Sequence, residues 1–95
     1  SGYAVAAVAA IVEKSGNTIS KCRVAVNGVS GGAYRATEVE KALEGKAISD
    51  EAVAAAAAHV VNGIDVLEDP FANAVYRSQL AKELTKRAIL AASNR

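Results

Sequence analysis

The side chains best suited to chemistry in this chain are one cysteine and one histidine, Cys22 and His59, each the only residue of its type. With so few partners, neither a Cys/His zinc site nor a Ser/His hydrolytic arrangement is expected. Cys22 alternates with Val24 and Val26, a pattern typical of a small buried hydrophobic residue. His59 lies off the centre of the apolar stripe of its segment, as a solvated or boundary histidine does. The sequence therefore predicts no catalytic residue and no metal site.

Two pairs of an aromatic residue beside an arginine are the next candidates, Tyr34-Arg35 and Tyr76-Arg77. Such pairs can stack on a planar ligand or bind an acidic partner. Tyr34 lies in a glycine-rich segment, where contact across an interface is plausible. Tyr76 shares helical spacing with Leu80, which favours a core position instead.

Two further patterns suggest ligands only superficially. The carboxylates of Asp65, Glu68 and Asp69 lack the spacing of an EF-hand, which favours a solvated loop. The run Gly28-x-x-Gly31-Gly32 follows a hairpin strand and lacks the GxGxxG spacing, so we expect it to turn the chain rather than cradle phosphate.

Composition limits the function classes further. Hydrophobic residues make up 52% of the 95 residues but aromatic residues only 4%, so we expect one domain with an alanine- and valine-rich core. The net charge is +1, which argues against nucleic-acid binding. Residues 72–95 carry five Lys or Arg residues against one glutamate, a balance of +4, and a solvated basic helix face is the simplest explanation. The single cysteine favours a reducing compartment such as the cytoplasm, and the apolar run Tyr3 to Val12 is too short to cross a bilayer.

The elements that position these residues begin with two strands. Tyr3 to Lys14 alternates weakly, and a short alanine-rich helix is the competing interpretation. The turn Ser15-Gly16-Asn17 and the clear alternation from Lys21 to Asn27 favour a β-hairpin.

Three helices are predicted after the glycine-rich joint. Thr37-x-x-Glu40 has the form of a capping box for a helix from Glu38 to Glu44 that ends at Gly45. Ser49 caps a second helix. The third is expected from Ala74 to Ser93. The predicted apolar stripes are Val53, Ala56, Ala57, Val60, Val61 and Ile64 in the second helix, and Tyr76, Leu80, Leu84, Ala88 and Ala91 in the third.

These segments, in this order, resemble the C-terminal domain of the FAD-binding medium subunit of the molybdenum hydroxylases, the family of carbon monoxide dehydrogenase and xanthine dehydrogenase. The resemblance spans nearly all of residues 1–95. It rests on the opening strand Tyr3-Ala4-Val5-Ala6-Ala7-Val8-Ala9-Ala10, on Cys22-Arg23-Val24-Ala25-Val26-Asn27-Gly28-Val29, on Arg35-Ala36-Thr37-Glu38-Val39-Glu40-Lys41-Ala42-Leu43-Glu44-Gly45-Lys46, on Val75-Tyr76-Arg77-Ser78-Gln79-Leu80-Ala81 and on Leu84-Thr85-Lys86-Arg87-Ala88.

The resemblance implies an α+β fold in which an antiparallel sheet of about three strands is covered on one face by three helices. It implies a part of a longer cytoplasmic subunit, with FAD bound by upstream domains and with iron-sulfur clusters and the molybdenum cofactor on partner subunits. We then expect Tyr34, Arg35, Tyr76 and Arg77 to make interdomain contacts, and neither nucleic-acid binding nor membrane insertion. The alternative is a stand-alone small binding or dimerisation module.

Overall fold

Three antiparallel strands precede three helices in the computed structural model, which describes residues 6–94. The sheet order is β1-β2-β3, and the helices cover one face of the sheet. The elements are β1 (Ala7–Ser15), β2 (Thr18–Asn27), β3 (Tyr34–Arg35), α1 (Thr37–Leu43), α2 (Asp50–Ala57) and α3 (Ala74–Ser93). This confirms the predicted α+β class. Tyr3 and Val5, the first residues of the expected opening strand, lie outside the described residues.

The hairpin between β1 and β2 is tighter than the sequence suggested. Ser15 pairs with Thr18, so the loop has two residues rather than three. Gly16 occupies its first position with φ +62°, which glycine adopts without strain and which matches the twist of the flanking strands.

A bulge in β2 then corrects the register of the hairpin. The pairing shifts between Glu13 and Lys14, and the Ser20 hydroxyl donates a hydrogen bond to the Glu13 carbonyl at 3.0 Å. One extra residue in a strand reverses the faces of those beyond it. Ile19 and Cys22 are therefore both fully buried although their spacing is odd.

The core lies between the inner face of β2 and the three helices. Cys22, Val24 and Val26 point inward as predicted. The helices and their connections add small and branched side chains rather than aromatic ones. Those fully or almost fully buried include Val39, Leu43, Val53, Ala56, Val60, Ala81 and Ile89.

The ends of the second helix are partly as expected. Ser49 caps it, because its hydroxyl accepts a hydrogen bond from the Ala52 amide at 3.0 Å. The helix ends at Ala57, however, and does not extend toward Ile64. From residue 59 onward the amide hydrogen bonds shift to carbonyls three residues back, such as Val60 to Ala57. This tighter winding ends the α-helix.

The third helix has the predicted bounds but buries a different face. Its buried line runs through Arg77, Ala81, Thr85 and Ile89, whereas Tyr76 is 53% exposed. The small side chains of Ala81 and Thr85 in this line let the helix pack closely on the edge strand β1. The centre of the predicted stripe was therefore wrong by one residue, although Leu80 and Leu84 are half-buried against the core. Arg77 does not belong to a solvated basic face.

Leu43 tests how much stability this core supplies. Leu43→Ala should lower the free energy of unfolding by about 2–5 kcal/mol, because it leaves a cavity at a fully buried site. We would measure this by urea unfolding followed by circular dichroism, since the chain lacks tryptophan. Leu67→Ala, at a 41% exposed leucine, is the matched control and should cost about 1 kcal/mol or less. Equal losses for both variants would contradict the described core.

Candidate interaction surface

Glu40 is the buried polar centre of the joint between the sheet and α1. Its side chain is 4% exposed. One carboxylate oxygen accepts hydrogen bonds from the Val24 amide at 2.9 Å and from Arg35 Nε at 3.1 Å. The other accepts from Arg35 Nη2 at 2.6 Å. The arginine therefore binds the carboxylate through two nitrogens, the geometry that gives the strongest such pairs.

This arrangement replaces the predicted capping box. The helix begins at Thr37, with Ala36 as its N-cap and no side-chain cap, so the expected Thr37 and Glu40 positions are shifted by one residue. The Ala36 carbonyl accepts the first helical hydrogen bond, from the Glu40 amide at 3.1 Å. Because this carbonyl is directed along the helix, it does not pair with the Val24 amide of the neighbouring strand. The Glu40 side chain takes that place.

The ionised form of Glu40 is stabilised by its partners. Burial raises the pKa of the carboxyl. The hydrogen bonds from Arg35 and from the Val24 amide, together with the charges of Arg35 and Arg23, lower the pKa more, so that it falls below its usual value.

Tyr34, the other residue of the first predicted pair, is half-buried in β3. Its hydroxyl donates a hydrogen bond to the Val60 carbonyl at 2.8 Å, and burial raises its pKa. Arg35 keeps 55% of its side chain exposed. The pair thus anchors the turn after α2 while presenting part of a guanidinium to the surface.

Arg77 holds the loop that precedes α3. Its residue is 5% exposed. Nη1 donates to the Leu67 carbonyl at 2.7 Å, and Nη2 donates to Asp69 at 3.1 Å. Arg77 is therefore directed into its own domain. A direct interdomain contact by this residue stays a prediction, which its burial does not favour.

Asp69 is the second fixed point of that loop. One of its carboxylate oxygens accepts from the Phe71 amide at 2.9 Å and from the Ala72 amide at 3.0 Å. The Phe71 amide, Arg77 and the Ala72 amide together lower the pKa of Asp69 below its usual value. The loop has a defined shape because its turn is closed by a charged acceptor.

The loop and the first turn of α3 display an apolar surface, which we call the apolar tip: Leu67, Phe71, Val75 and Tyr76. Their exposed fractions are 41%, 91%, 72% and 53%. Among the described residues, Ile11 is the only other exposed large hydrophobic side chain. The chain has just four aromatic residues, and two of them lie here. Four exposed large apolar side chains within ten residues of sequence make this segment the candidate interaction surface, because exposed apolar surface of this extent commonly marks interaction sites.

Sequence reasoning placed Tyr76 among the interface candidates but missed the rest of the apolar tip. Leu67 and Phe71 fell in a segment predicted only as a connection. A usable signal was present, because Phe71 is the one phenylalanine of an aromatic-poor chain and follows Asp69-Pro70 in a loop. Aromatic residues in loops are common interface anchors.

Residues with possible catalytic chemistry are not brought together. Burial and the charges of Glu40 and Glu44 raise the pKa of the Cys22 thiol to about 11, which keeps it protonated and unreactive. His59 is exposed, as predicted, and its Nδ1 lies 2.8 Å from the side-chain nitrogen of Asn62. Within residues 6–94, no group of three His, Cys, Asp or Glu side chains is arranged to hold a metal ion. In the same range, no helix has the length and apolarity needed to span a bilayer.

Comparison with known proteins places the chain in a well-defined group. The family model described as CO dehydrogenase flavoprotein C-terminal domain matches residues 1–92. The carbon monoxide dehydrogenase medium chain of Hydrogenophaga pseudoflava is 38% identical over 90 residues, covering 95% of this chain. The glyceraldehyde dehydrogenase medium chain of Sulfolobus acidocaldarius is 36% identical over 86 residues, covering 90%.

Solved structures of similar proteins share the fold. Quinoline 2-oxidoreductase from Pseudomonas putida 86 has a TM-score of 0.92 at 30% identity, over 97% of this chain and 32% of that one. Carbon monoxide dehydrogenase from Hydrogenophaga pseudoflava, in a form that lacks the Mo-pyranopterin moiety, has a TM-score of 0.88 at 40% identity, over 95% of this chain and 31% of that one. The chain likewise spans 31% of the length of each of the two medium chains.

The Glu40 site predicts a specific loss of stability in acid. The folded state holds Glu40 ionised at pH values where the unfolded chain would protonate it. Its contribution is therefore complete above the unfolded pKa of about 4.3 and is lost as pH falls through the lower folded value. Glu40→Gln should destabilise the fold by about 1–3 kcal/mol at pH 7, and its deficit relative to the parent should shrink below about pH 4. Urea unfolding across this pH range measures both effects. Glu51→Gln, at an exposed glutamate, is the control, and a deficit that does not change with pH would contradict the assignment.

The Asp69 contacts predict that this carboxylate slows hydrogen exchange at amides of its own loop rather than throughout the domain. Asp69→Ala removes the acceptor of the Phe71 and Ala72 amides, so their hydrogen exchange should accelerate about tenfold or more. Amides of the sheet should change much less. Exchange followed by NMR measures this, with Asp65→Ala, at an exposed aspartate of the same loop, as the control. Unchanged exchange at Phe71 in the Asp69 variant would show that the carboxylate does not hold the loop.

Proposed function

The chain belongs to the CO dehydrogenase flavoprotein C-terminal domain family, and on that basis we propose that it is the C-terminal domain of the FAD-binding medium subunit of a molybdenum-containing oxidoreductase. The observation that carries this proposal is the family match over residues 1–92. The named medium chains among its relatives support it, and so does the TM-score of 0.92 to an oxidoreductase structure.

In this proposal the reaction is shared among subunits. A substrate is oxidised at the molybdenum cofactor, and electrons pass through iron-sulfur clusters on a partner subunit to FAD on the medium subunit. The domain described here contributes contacts rather than reacting groups. Its buried, protonated Cys22 and its exposed His59 support a role without a catalytic residue.

The described residues do not fit FAD as a ligand held by this domain alone. The glycine-rich segment leads into β3 rather than into a helix, so it does not present a helix N-terminus to phosphate as dinucleotide-binding turns do. The groove beside His59, lined by Glu38, Lys41 and Ala42, measures about 300 Å³ and has no aromatic wall. Ligand pockets of this size and above are usually lined by apolar and aromatic side chains. We therefore assign FAD to domains upstream in a longer subunit.

The proposed partners follow from the same assignment. They are the upstream flavin domains of the same polypeptide and the iron-sulfur and molybdenum subunits of the complex. The net charge of +1 gives no support to nucleic-acid binding. A cytoplasmic location without membrane insertion is part of the proposal.

The proposal is tested on the gene product as it occurs in its source cells. We expect an antibody raised against residues 6–94 to detect a chain about three times as long as this one, as the 31% coverage of relatives suggests. That chain should carry flavin absorbance and copurify with molybdenum and iron, measured by elemental analysis. A flavin-free product of about 95 residues would refute the proposal and favour a stand-alone binding or dimerisation module.

A further inference from the structure

We propose that the apolar tip is the docking site for the upstream part of the same polypeptide, and that Phe71 is its central anchor. This inference rests on the proposed function, because it requires a longer medium subunit. It goes further by naming the surface, the anchor residue and the occupant.

The first support is the exposure of the apolar tip. Phe71 is 91% and Val75 72% exposed, although folding normally favours removing such side chains from water. The core of this chain is built from valine, leucine, isoleucine and alanine. Its phenylalanine is therefore left largely uncovered by residues 6–94.

The second support is the rigidity of the loop that presents Phe71. Asp69 binds the amides of Phe71 and Ala72, and Arg77 binds Asp69 and the Leu67 carbonyl. Asn73 caps α3 by accepting from the Tyr76 amide at 2.8 Å. These bonds hold the backbone on either side of Phe71, so docking orders only its side chain, which reduces the entropy lost on binding. The loop is organised for contact rather than for free movement.

The third support is the position of the apolar tip relative to the start of the chain. Ala7, the first residue of β1, pairs with Asn27. Two residues later, the Val29 carbonyl accepts a hydrogen bond from the Leu67 amide at 2.8 Å. Helix α3 starts at this same end, because Lys14, near the far end of β1, contacts the carbonyl of Ser93 at the end of α3. A polypeptide that precedes β1 therefore arrives beside the apolar tip.

The size of the apolar tip favours a tethered occupant over a second copy of the chain. Covering two aromatic side chains buries roughly 150–250 Å² each. A stable interface between separate proteins buries about 1,600 Å² in total. Interdomain interfaces within one chain begin near 600 Å², and covalent linkage supplies a high effective concentration. On one side of the contact the two aromatic side chains supply at most roughly 300–500 Å². This is at least about half of the smallest interdomain interface and well short of the roughly 800 Å² per partner that free association needs.

The edge of the apolar tip indicates the chemistry of the opposing surface. Asp65 and Glu68 are exposed on the same loop, whereas Arg77 is turned inward against Asp69. The rim is therefore acidic. A complementary surface has an apolar pocket for Phe71 with lysine or arginine at its border.

Hydroxyl-radical footprinting of the full-length medium chain, purified without partner subunits, tests this docking. Phe71 and Tyr76 should label about tenfold more slowly in the native chain than in the chain unfolded in urea. In Phe71→Ser, labelling of Tyr76 should rise about fivefold because the anchor is lost. Ile11→Thr is the matched control. Ile11 lies in β1 and is 65% exposed. Replacing its apolar side chain should leave the labelling of Tyr76 unchanged.

Three results would overturn the docking while leaving the proposed function intact. The first is a long, flavin-containing chain in which Phe71 labels as fast as in urea. The second is protection that appears only after the partner subunits are added, which would assign the apolar tip to another subunit. The third is protection that disappears on dilution, which would assign it to a second copy. A gene product of only this length would refute both proposals at once.

Discussion

The ion pair between Glu40 and Arg35 is the contact on which the arrangement of sheet and helices depends. It is formed where β3 ends and α1 begins. The Ala36 amide still donates to the Val24 carbonyl at 2.9 Å, but the Val24 amide finds no backbone acceptor. The Glu40 carboxylate accepts the amide of Val24 that would otherwise be left unpaired. A buried unpaired amide costs about 1–3 kcal/mol. Placing the acceptor on α1 ties that helix to the central strand and brings Val39 and Leu43 over it.

The small side chains of the core explain where the larger ones are found. Alanine and valine allow α3 to approach β1 closely, and the closest face of α3 carries Ala81 and Thr85. With this face of α3 against β1, Arg77 is buried and Tyr76 is exposed. The Leu67 carbonyl and Asp69 accept hydrogen bonds from Nη1 and Nη2 of the guanidinium, whereas its buried Nε has no partner among the described residues. The burial of Arg77 and the exposure of Tyr76 thus both follow from the way α3 packs on β1.

The polar groups of the domain are used mainly for contacts inside it. The hydrogen bonds of Glu40 join α1 to the sheet. Those of Arg77 join α3 to the loop that precedes it. Each fixes a segment next to a surface feature: the half-exposed Arg35 in one case and Phe71 in the other. Quinoline 2-oxidoreductase, a structural relative, is about three times as long as this chain, which covers 32% of it.

The sequence by itself determined the elements whose signals are local. Strand alternation placed Cys22, Val24 and Val26 in the core, the Ser49 cap was confirmed, and the bounds of α3 were predicted correctly. The quoted segments were also sufficient to identify the family.

Only the tertiary structure decided the roles of Glu40, Arg77 and Tyr76. Adjacent residues on a helix point about 100° apart, so a shift of one position exchanges core for surface, and the opposing strand selects between them. The Val24 amide that Glu40 binds lies 16 residues away in sequence, beyond any local pattern. The capping-box prediction failed for that reason: the same carboxylate can bond to its own helix or to a strand, and the free amide of Val24 became visible only once the strands were paired.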